Sequence, residues 1–271
     1  EDIEHIATIS ANNDPAIGKL ICMAYDRVGQ DGSITIEESR SIETSLDVTE
    51  GFSFSSGYCA GAFVTDERRS IMHHEEPLIL VTDYRISSVD QILPVLEMCA
   101  REVRPLVIVA DDIEGQALAA LIMNAMRGTL KVAAIKAPYY GEERRNTLHD
   151  LAISVGATFV SRESGLKLPE IKMVDFGTSK FVESTKGNTI FVGGNADIEA
   201  IDTKISSLKA DIEDTESLEI CDSIQQRIVR LASGVAIIRV GGATEVEMTE
   251  RKHRIEDALE AVKAAQEEGI V

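Results

Sequence analysis

The stretch that decides the fold is VDQILPVLEMCAREVRPLVIVADDIEGQALAALIMNAMR, residues Val89 to Arg127. Its apolar spacing predicts a helix, a strand and a second helix, in that order. Pro94 suits the first turn of a helix, where its missing N–H costs nothing, so the first helix is predicted to begin near Ile92. The run from Leu106 to Ala110 is apolar and rich in β-branched residues, which is typical of a buried strand. The second helix is predicted to begin at about Gly115.

The second of these helices has more apolar surface than one packing contact needs. At 100° per residue its apolar side chains cover about two thirds of the circumference, whereas a helix resting on one sheet needs a stripe of only about 100°. Either the helix is enclosed in a large core, or the surplus surface contacts a partner. Enclosure is the commoner case. The apolar positions are Ala117, Leu118, Ala119, Leu121, Ile122, Met123, Ala125 and Met126 on this helix, and Ile92, Leu93, Val95, Leu96, Cys99, Ala100 and Val103 on the first.

Composition and charge exclude several classes of protein. The chain has 271 residues, 44% of them apolar and 27% charged, which is ordinary for a soluble globular protein. Its net charge of −19 argues against a nucleic-acid or anionic-membrane partner, because neutralising phosphates requires clustered Lys and Arg. No apolar run approaches the ~18 residues of a membrane span, and no secretory leader opens the chain. The four cysteines are isolated from one another, so we expect reduced thiols and a cytoplasmic protein.

From Pro77 onward, short apolar runs alternate with helical patterns, which favours a parallel or mixed α/β layer. Before Pro77 and after Gly193 the residue pattern differs, and it predicts amphipathic helices and short strands. The predicted fold class is therefore α/β and α+β. The predicted strands are Ile34–Ile36, Thr44–Val48, Leu78–Val81, Val132–Ile135, Thr158–Val160, the hairpin Lys180–Val182 with Thr189–Val192, and Val235–Val240. The predicted further helices are one from Pro15 that ends at Gly29, then Asn146–Val155, Ile198–Ile212, Ser217–Leu231 and Thr244–Gly269.

Glycines mark two changes of texture, at Gly51 and at Gly234. The α/β block between them is flanked on both sides by helical and short-strand segments. A domain inserted into another domain, with two chain crossings, would give this pattern. Two crossings at glycines would also form a hinge.

Two polar or aromatic segments have bland interpretations. Phe52 to Val64 is rich in Gly, Ser, Ala and aromatic residues and carries no charge, so it is predicted to be a twisted strand or a surface loop with exposed rings. His73–His74 precedes Glu75–Glu76, which is a conceivable metal site, but a solvated loop before Pro77 is the preferred interpretation.

No catalytic constellation stands out from the sequence. Gly193–Gly194 and Gly241–Gly242 follow strands but complete neither phosphate-loop motif, so turn glycines are the preferred interpretation. Asp111 and Asp112 end a strand and could form a metal site or an acid/base pair, but their side chains should point apart and Asp112 can cap the next helix. Asp257 lies off the apolar stripe of the last helix, where a solvated carboxylate is the default.

Several long motifs, in order along the whole chain, resemble group I chaperonins, the GroEL-type family. They are ATISAN at Ala7–Asn12, LPVLE at Leu93–Glu97, EGQALAALIMNAMRG at Glu114–Gly128, KAPYYGEERR at Lys136–Arg145 and GGATEVEMTERKHRIEDALEAVKAAQEEGIV at Gly241–Val271. The resemblance implies a chaperonin apical domain inserted into a mixed helix and short-strand intermediate domain. Residues 1–50 and 235–271 would form the intermediate domain, and residues 51–234 the apical, substrate-binding domain.

The resemblance also implies a function. It implies a molecular chaperone that binds non-native polypeptides and folds them by ATP-driven cycling, with a co-chaperonin whose mobile loop competes for the same groove. ATP, Mg²⁺ and K⁺ would be cofactors of the full-length protein, which would form a homo-oligomeric ring in the cytoplasm. The chain has no initial Met, and the resemblance implies an equatorial domain, with most of the ATP site, that the given sequence does not include. We therefore expect a fragment that has no ATPase activity and no cofactor of its own.

The residues that match the family's functional positions form three groups. Apolar contact is non-directional and contributes about 25 cal/mol per Å², so an apolar groove binds unfolded chains without reading their sequence. In the family, the Asp of the RIEDAL motif helps to position the water that attacks ATP, and the resemblance implies the same role for the matching Asp here. The client-binding set is Tyr58, Phe63, Leu93, Leu96, Leu118, Ile122 and Met123, the catalytic residue is Asp257, and the hinge glycines are Gly51 and Gly234.

Two positions depart from the family's pattern. The family usually has an aromatic residue where Ala62 stands, so the groove is expected to be shallower or shifted in preference. It commonly has Arg where Ser56 stands, and the acid that pairs with that Arg across subunits matches Glu245. The change to Ser removes the cation of this inter-subunit salt bridge.

Two alternatives from other functional classes remain. An α/β metabolic enzyme with a glycine-rich nucleotide loop would fit the alternation of strands and helices, although neither glycine pair completes such a loop. A passive module that binds hydrophobic surfaces would fit the wide apolar helix without any ATP chemistry.

Overall fold

Helices and strands alternate along residues 2–29 and 32–269, which the computed structural model describes. The helices are α1 Asp2–Ser10, α2 Pro15–Val28, α3 Val89–Glu102, α4 Gly115–Arg127, α5 Gly141–Val155, α6 Ile198–Glu213, α7 Leu218–Ala232 and α8 Glu245–Glu268. The strands are β1 Ile34–Glu38, β2 Ser45–Phe54, β3 Met72–Glu75, β4 Leu78–Thr82, β5 Arg85–Ile86, β6 Leu106–Ala110, β7 Asp112–Ile113, β8 Val132–Lys136, β9 Phe159–Val160, β10 Gly177–Thr178, β11 Phe181–Ser184, β12 Thr189–Val192 and β13 Gly234–Val240. Short 3-10 helices cover Gly61–Phe63, Leu168–Glu170 and Met173–Asp175.

These elements divide into two compact units. Unit 1 comprises residues 1–49 and 233–271, and unit 2 comprises residues 50–232. Unit 2 is thus a continuous segment, while unit 1 is built from the two ends of the chain.

The centre of unit 2 is a parallel sheet. Strands β4, β6 and β8 lie side by side, with Leu78 opposite Leu106 and Leu106 opposite Val132. Every residue of β4 and β6 is buried, as expected of parallel strands that are enclosed on both faces. Beside β4 lie the short strands β9, which is parallel to it, and β10, which is antiparallel. The predicted mixed α/β class is confirmed.

The second sheet of unit 2 is antiparallel. Strand β11 lies between β12 and β3, and β12 pairs with the end of β2. The hairpin predicted from the sequence is therefore present as β11 and β12. His73 and His74 lie within β3, so the predicted solvated loop is wrong. The reason is that β3 completes its backbone hydrogen bonds on β11, with His74 opposite Val182.

The phenylalanines near the start of unit 2 are buried. Phe52, Phe54 and Phe63 are 1%, 3% and 2% exposed. Of the two alternatives predicted for Phe52 to Val64, the strand is correct as far as Phe54, where β2 ends, and the surface loop with exposed rings is wrong for these three side chains. The rings of Phe54 and Phe191 lie 5.8 Å apart between centroids. A segment of small, uncharged residues is as well suited to burial as to exposure. Here the side chains of the antiparallel sheet pack against it and bury the rings.

Unit 1 packs α2 and α8 against the parallel strands β1 and β13, and α1 packs against α2 and α8. Ile21, Ile238 and Ile255 are fully buried at its centre, one from each of α2, β13 and α8. Asp14 caps α2, because its Oδ1 accepts hydrogen bonds from two backbone N–H groups of the first turn at 3.0 and 3.4 Å. The cap satisfies donors that a helix N-terminus otherwise leaves unpaired.

Helix α5 begins at Gly141 rather than at the predicted Asn146. Two glutamates in its first turn suit the positive end of the helix dipole. Arg144 in the same turn is buried, and its Nη1 donates to the backbone oxygen of Asp111 at 3.2 Å. The first turn is therefore held by a tertiary contact that helical periodicity does not reveal.

Candidate functional site

Helix α3 begins earlier than the sequence predicts. It starts at Val89 rather than near Ile92, so Pro94 lies inside the helix. The side chain of Gln91 explains the early start, because its Oε1 accepts the N–H groups of Ser87 and Ser88 at 3.0 Å each. This cap outweighs the one helical hydrogen bond that the proline nitrogen cannot make.

One side of α3 is buried and the other is exposed. Ile92, Val95 and Cys99 have no exposed surface, and Leu96 is 8% exposed, whereas Leu93 is 44% exposed. The apolar arc predicted for this helix is therefore covered over only part of its width.

Val103, the last member of that arc, lies outside the helix. It adopts the left-handed conformation with φ 54° at the C-terminal end of α3 and is 89% exposed. A β-branched residue is uncommon in this conformation.

The wide apolar arc of helix α4 is only partly buried. Ala117 and Leu121 are fully buried and face the core. On the other side of the helix, Met123 is 49% exposed and Met126 is 74% exposed. The helix is therefore not enclosed, and its surplus apolar surface is free. Two further members of the arc, Leu118 and Ile122, are half-buried and pack against the core cluster.

The two aromatic residues of the predicted client-binding set are less exposed than expected. Tyr58 is half-buried and its hydroxyl donates to the backbone oxygen of Ser70 at 3.1 Å. Phe63, at 2% exposure, is a core residue. Leu96 on α3 is a core residue as well. In the structure Phe63 and Leu96 offer no surface for direct contact, which corrects the expectation that the whole set faces outward.

Met126 is an exposed apolar residue that the predicted set omits. It lies one position after Ala125, which packs against the core, and its side chain points away from that contact. The sequence contained a signal for it, because Met126 belongs to the same helical arc as Met123.

The two adjacent carboxylates after β6 have different partners. Asp111 Oδ1 lies 2.5 Å from Nη1 of Arg144. Asp112 Oδ2 lies 3.4 Å from Nη2 of Arg85, whose Nε also contacts Glu114 at 2.8 Å. Glu114, not Asp112, occupies the N-cap position of α4, which corrects the expected cap. The two carboxylates form structural ion pairs and not an acid/base pair.

The cysteines are free, as expected of reduced thiols. Burial raises the pKa of Cys59 to about 11 and the pKa of Cys99 to about 12. Burial therefore disfavours the thiolate, which is the nucleophilic form, at both positions near neutral pH.

A family model described as the TCP-1/cpn60 chaperonin family matches residues 1–271 of this chain. The chain belongs to the TCP-1/cpn60 chaperonin family. The chaperonin resemblance drawn from the sequence motifs is thereby confirmed, together with a general role as a chaperone in protein folding. Membership in this family suggests that the substrates are unfolded polypeptides and that the protein assembles into oligomers. The match favours this interpretation over that of a metabolic enzyme.

Asp257 of the chaperonin chain lies on the exposed side of α8 in unit 1. Its neighbours Ile255 and Ala258 are fully buried, while Asp257 itself is exposed. The hydroxyl of Ser10 donates to the backbone oxygen of Asp257 at 3.1 Å, which fixes this turn of the helix to the end of α1. The backbone of Asp257 is therefore held, while its side chain is exposed.

The glycine pairs of the chaperonin chain are packing positions. A Cβ on Gly194 would lie 2.2 Å from the backbone oxygen of Ser154, and one on Gly241 would lie 2.4 Å from that of Glu43. Glycines at such close approaches are explained by packing and not by a phosphate cradle. Among the described residues, neither glycine pair therefore forms a phosphate-binding loop.

The two predicted hinge glycines lie in strands. Gly51 is in β2, opposite Val192. Gly234 begins β13, and a Cβ there would lie 2.5 Å from the backbone oxygen of Thr49 and 2.7 Å from Cγ1 of Val48. The glycine at 234 is therefore required by the closeness of a neighbouring strand.

No helix in the described part of the chain is both long enough and apolar enough to cross a membrane. Within the same residues, no group of three or more His, Cys, Asp or Glu side chains is arranged to hold a metal ion.

Proposed function

We propose that this chaperonin chain captures non-native polypeptides on an apolar surface carried by α3 and α4. The surface consists of Leu93 on α3 and of Leu118, Ile122, Met123 and Met126 on α4, and is called the α3–α4 surface below. Tyr58 borders it. We infer that Leu96 and Phe63 support it from beneath rather than contact the client.

The exposure of large apolar side chains on two core helices carries the proposal. Leu93, Met123 and Met126 are 44%, 49% and 74% exposed, although the opposite sides of the same helices are fully buried. A surface helix that serves only packing has polar residues on its outer side. Helices α3 and α4 contact each other, and contiguous exposed apolar surface marks binding sites for proteins. Methionine suits a surface that must fit many sequences, because its side chain is unbranched and flexible.

Further roles follow from the family resemblance and belong to the same proposal. Unit 2 corresponds to the apical domain and unit 1 to the intermediate domain, with Gly51 and Gly234 at the hinge between them. Asp257 helps to position the water that attacks ATP, and ATP, Mg²⁺ and K⁺ are the cofactors of the complete cycle. The protein assembles into a homo-oligomeric ring in the cytoplasm. The mobile loop of a co-chaperonin competes with clients for the α3–α4 surface. The exposed carboxylate of Asp257 and the chain division near residues 50 and 233 support these assignments.

The decisive experiment is client binding by a charged variant of the surface. Leu93→Glu combined with Met123→Glu places two carboxylates where apolar contact is proposed. Covering the exposed 44% and 49% of these side chains is worth about 0.7–1.5 kcal/mol each, because full burial of such a side chain is worth about 1.5–3 kcal/mol. Losing both contacts should therefore weaken binding of a denatured, fluorescently labelled client at least about tenfold.

Leu218→Glu provides the matched control. Leu218 lies on α7 and is 83% exposed, so it accepts the same change without loss of packing. Circular dichroism of all variants checks that the fold is kept. Equal client affinity of the double variant and the control would show that the proposed surface is misplaced.

A further inference from the structure

A cleft of about 590 Å³ lies at one end of the parallel sheet of unit 2. Two of its lining residues directly follow parallel strands, Asp83 after β4 and Asp111 after β6. The start of α5 and the segment that follows β9 also line it. Ligand pockets in proteins measure about 300–1,000 Å³, so the cleft is large enough for a small molecule.

The cleft lies where the strand order of this sheet reverses. Strands β4, β6 and β8 follow one another across the sheet, and the chain then returns through α5 to β9. Strand β9 lies on the far side of β4, because Val81 is opposite Val109 on one side and opposite Phe159 on the other. In open α/β sheets, ligands bind outside the carboxyl ends of the strands at such a reversal. The position of the cleft therefore makes it a candidate binding site.

Arg144 is a buried cation of the cleft lining, and its position is fixed. Its Nε donates to the backbone oxygen of Pro138 at 3.3 Å, its Nη1 lies 2.5 Å from Oδ1 of Asp111, and its guanidinium carbon lies 4.9 Å from the centre of the Tyr140 ring. Its Nη2 makes no hydrogen bond within the described part of the chain and stays accessible to solvent. A guanidinium held in this way keeps N–H donors for a ligand anion.

Arg162 supplies a second cation to the lining. Its backbone N–H donates to Oδ1 of Asp83 at 2.9 Å, which anchors the residue beside the end of β4. Its side chain is exposed, and its guanidinium has neither an ion pair nor a hydrogen bond among residues 2–29 and 32–269. Arg145, the third arginine of the lining, pairs with Glu163, but both side chains are exposed and such a pair contributes only about 0–1 kcal/mol.

The carboxylates of the cleft differ in their pairing. Asp83 and Asp111 accept the hydrogen bonds described above. Glu142 in the first turn of α5 is exposed, and no hydrogen bond to its carboxylate is formed by the residues that the structure describes. A ligand that is only an anion would be repelled by Glu142. A ligand with hydroxyl groups beside its anion would instead give this carboxylate a donor.

We propose that this cleft binds a phosphate monoester of a sugar, with the phosphate at Arg144 and Arg162 and a sugar hydroxyl donating to Glu142. A phosphate monoester carries a charge of about −1.5 to −2 at pH 7, which two guanidinium groups match. The planar guanidinium group binds phosphate oxygens through parallel N–H bonds. Either a free sugar phosphate or a nucleotide supplies this chemistry.

Isothermal titration calorimetry of the chain with ribose 5-phosphate, ribose and inorganic phosphate tests the proposal. Ribose 5-phosphate should bind at least about tenfold more tightly than inorganic phosphate, because the hydroxyl adds a hydrogen bond to a charged acceptor. Ribose alone should give no heat of binding. Arg162→Gln should weaken the binding of both phosphate-bearing probes at least about tenfold. Arg101→Gln on α3, an exposed arginine outside the cleft lining, is the matched control and should leave both affinities unchanged.

Glu142→Ala should act differently on the two probes. The affinity for ribose 5-phosphate should fall to that for inorganic phosphate, because the hydroxyl loses its acceptor. The affinity for inorganic phosphate should stay the same or rise, because a repelling charge is removed. A merely structural role of Glu142 at the start of α5 would lower both affinities together. Circular dichroism of every variant checks that the fold is kept.

AMP identifies the source of the ligand. Tighter binding of AMP than of ribose 5-phosphate, lost in Arg162→Gln, supports the proposal and indicates a nucleotide, whereas weaker binding of AMP supports it and indicates a free sugar phosphate. Three results would overturn the proposal: no binding of ribose 5-phosphate up to about 10 mM, equal affinity for ribose 5-phosphate and inorganic phosphate, or full affinity in Arg162→Gln. None of these results affects the α3–α4 surface, which is tested by client binding.

Discussion

A buried ion pair between α5 and α7 gives a stability prediction that the structure makes quantitative. Asp150 has no exposed side-chain surface, and Arg227 is 12% exposed. The guanidinium donates from Nε to Oδ2 of Asp150 at 2.8 Å and from Nη2 to Oδ1 at 2.9 Å. This two-fold geometry satisfies both carboxylate oxygens. Removing one partner leaves the other charge buried and uncompensated.

The perturbation is Asp150→Ala, and its expected cost is about 3–5 kcal/mol of unfolding free energy. For a domain of the size of unit 2, each kcal/mol lowers Tm by about 2–4 °C, so the expected decrease is about 6–20 °C. Urea unfolding followed by circular dichroism and scanning calorimetry measure these two quantities. The exposed pair of Arg145 and Glu163 provides the control, because Glu163→Ala should cost less than about 1 kcal/mol.

The double variant tests the reasoning itself. Asp150→Leu with Arg227→Met replaces the pair by apolar groups, which is often neutral for a buried pair. It should therefore recover most of the stability that Asp150→Ala loses. A double variant as unstable as the single one, or a loss below about 1 kcal/mol for Asp150→Ala, would refute the account of an uncompensated buried charge.

Two further predictions concern pH and turnover. The pKa of His74 is lowered from 6.5 to about 4 in the folded chain, so between these values the unfolded chain binds a proton that the folded chain does not. The free energy of unfolding should therefore fall as pH decreases through this window, by up to about 3 kcal/mol relative to His74→Leu. Urea unfolding of both proteins at a series of pH values measures this difference. The same pH dependence in both proteins would contradict the prediction. Asp257→Ala in the full-length protein should slow ATP hydrolysis by about 10²-fold or more while ATP binding is kept. Glu260→Ala on the next turn of α8 is the control, and normal turnover by Asp257→Ala would remove the catalytic assignment.

Local patterns predict the positions of many elements correctly. The strand Leu106–Ala110 and the start of α4 at Gly115 follow from a short apolar run and from helical spacing, which depend only on neighbouring residues. The start of α3 escaped prediction because it depends on one side chain. Gln91 caps the helix from within its first turn, and its contribution outweighs the signal of Pro94.

Burial is harder to predict than position. Leu93 and Leu96 lie three residues apart on the same apolar arc, yet one is 44% exposed and the other 8%. The difference comes from the segments that pack against α3, which lie far away in sequence. The burial of His74 has the same origin, since a pair of histidines before two glutamates looks solvated until β11 covers the strand.

The sequence by itself determined the fold class, the longer helices and strands of the α/β block, and the chaperonin family, because these depend on periodicity and on motifs that are contiguous in the chain. Only the tertiary structure decided which sides of α3 and α4 stay uncovered, and that Phe63 and Leu96 lie beneath the surface rather than on it. The physical reason is that the helical spacing of apolar residues in the sequence indicates only how much apolar surface a helix has. How much of that surface is removed from water is decided by partners elsewhere in the fold.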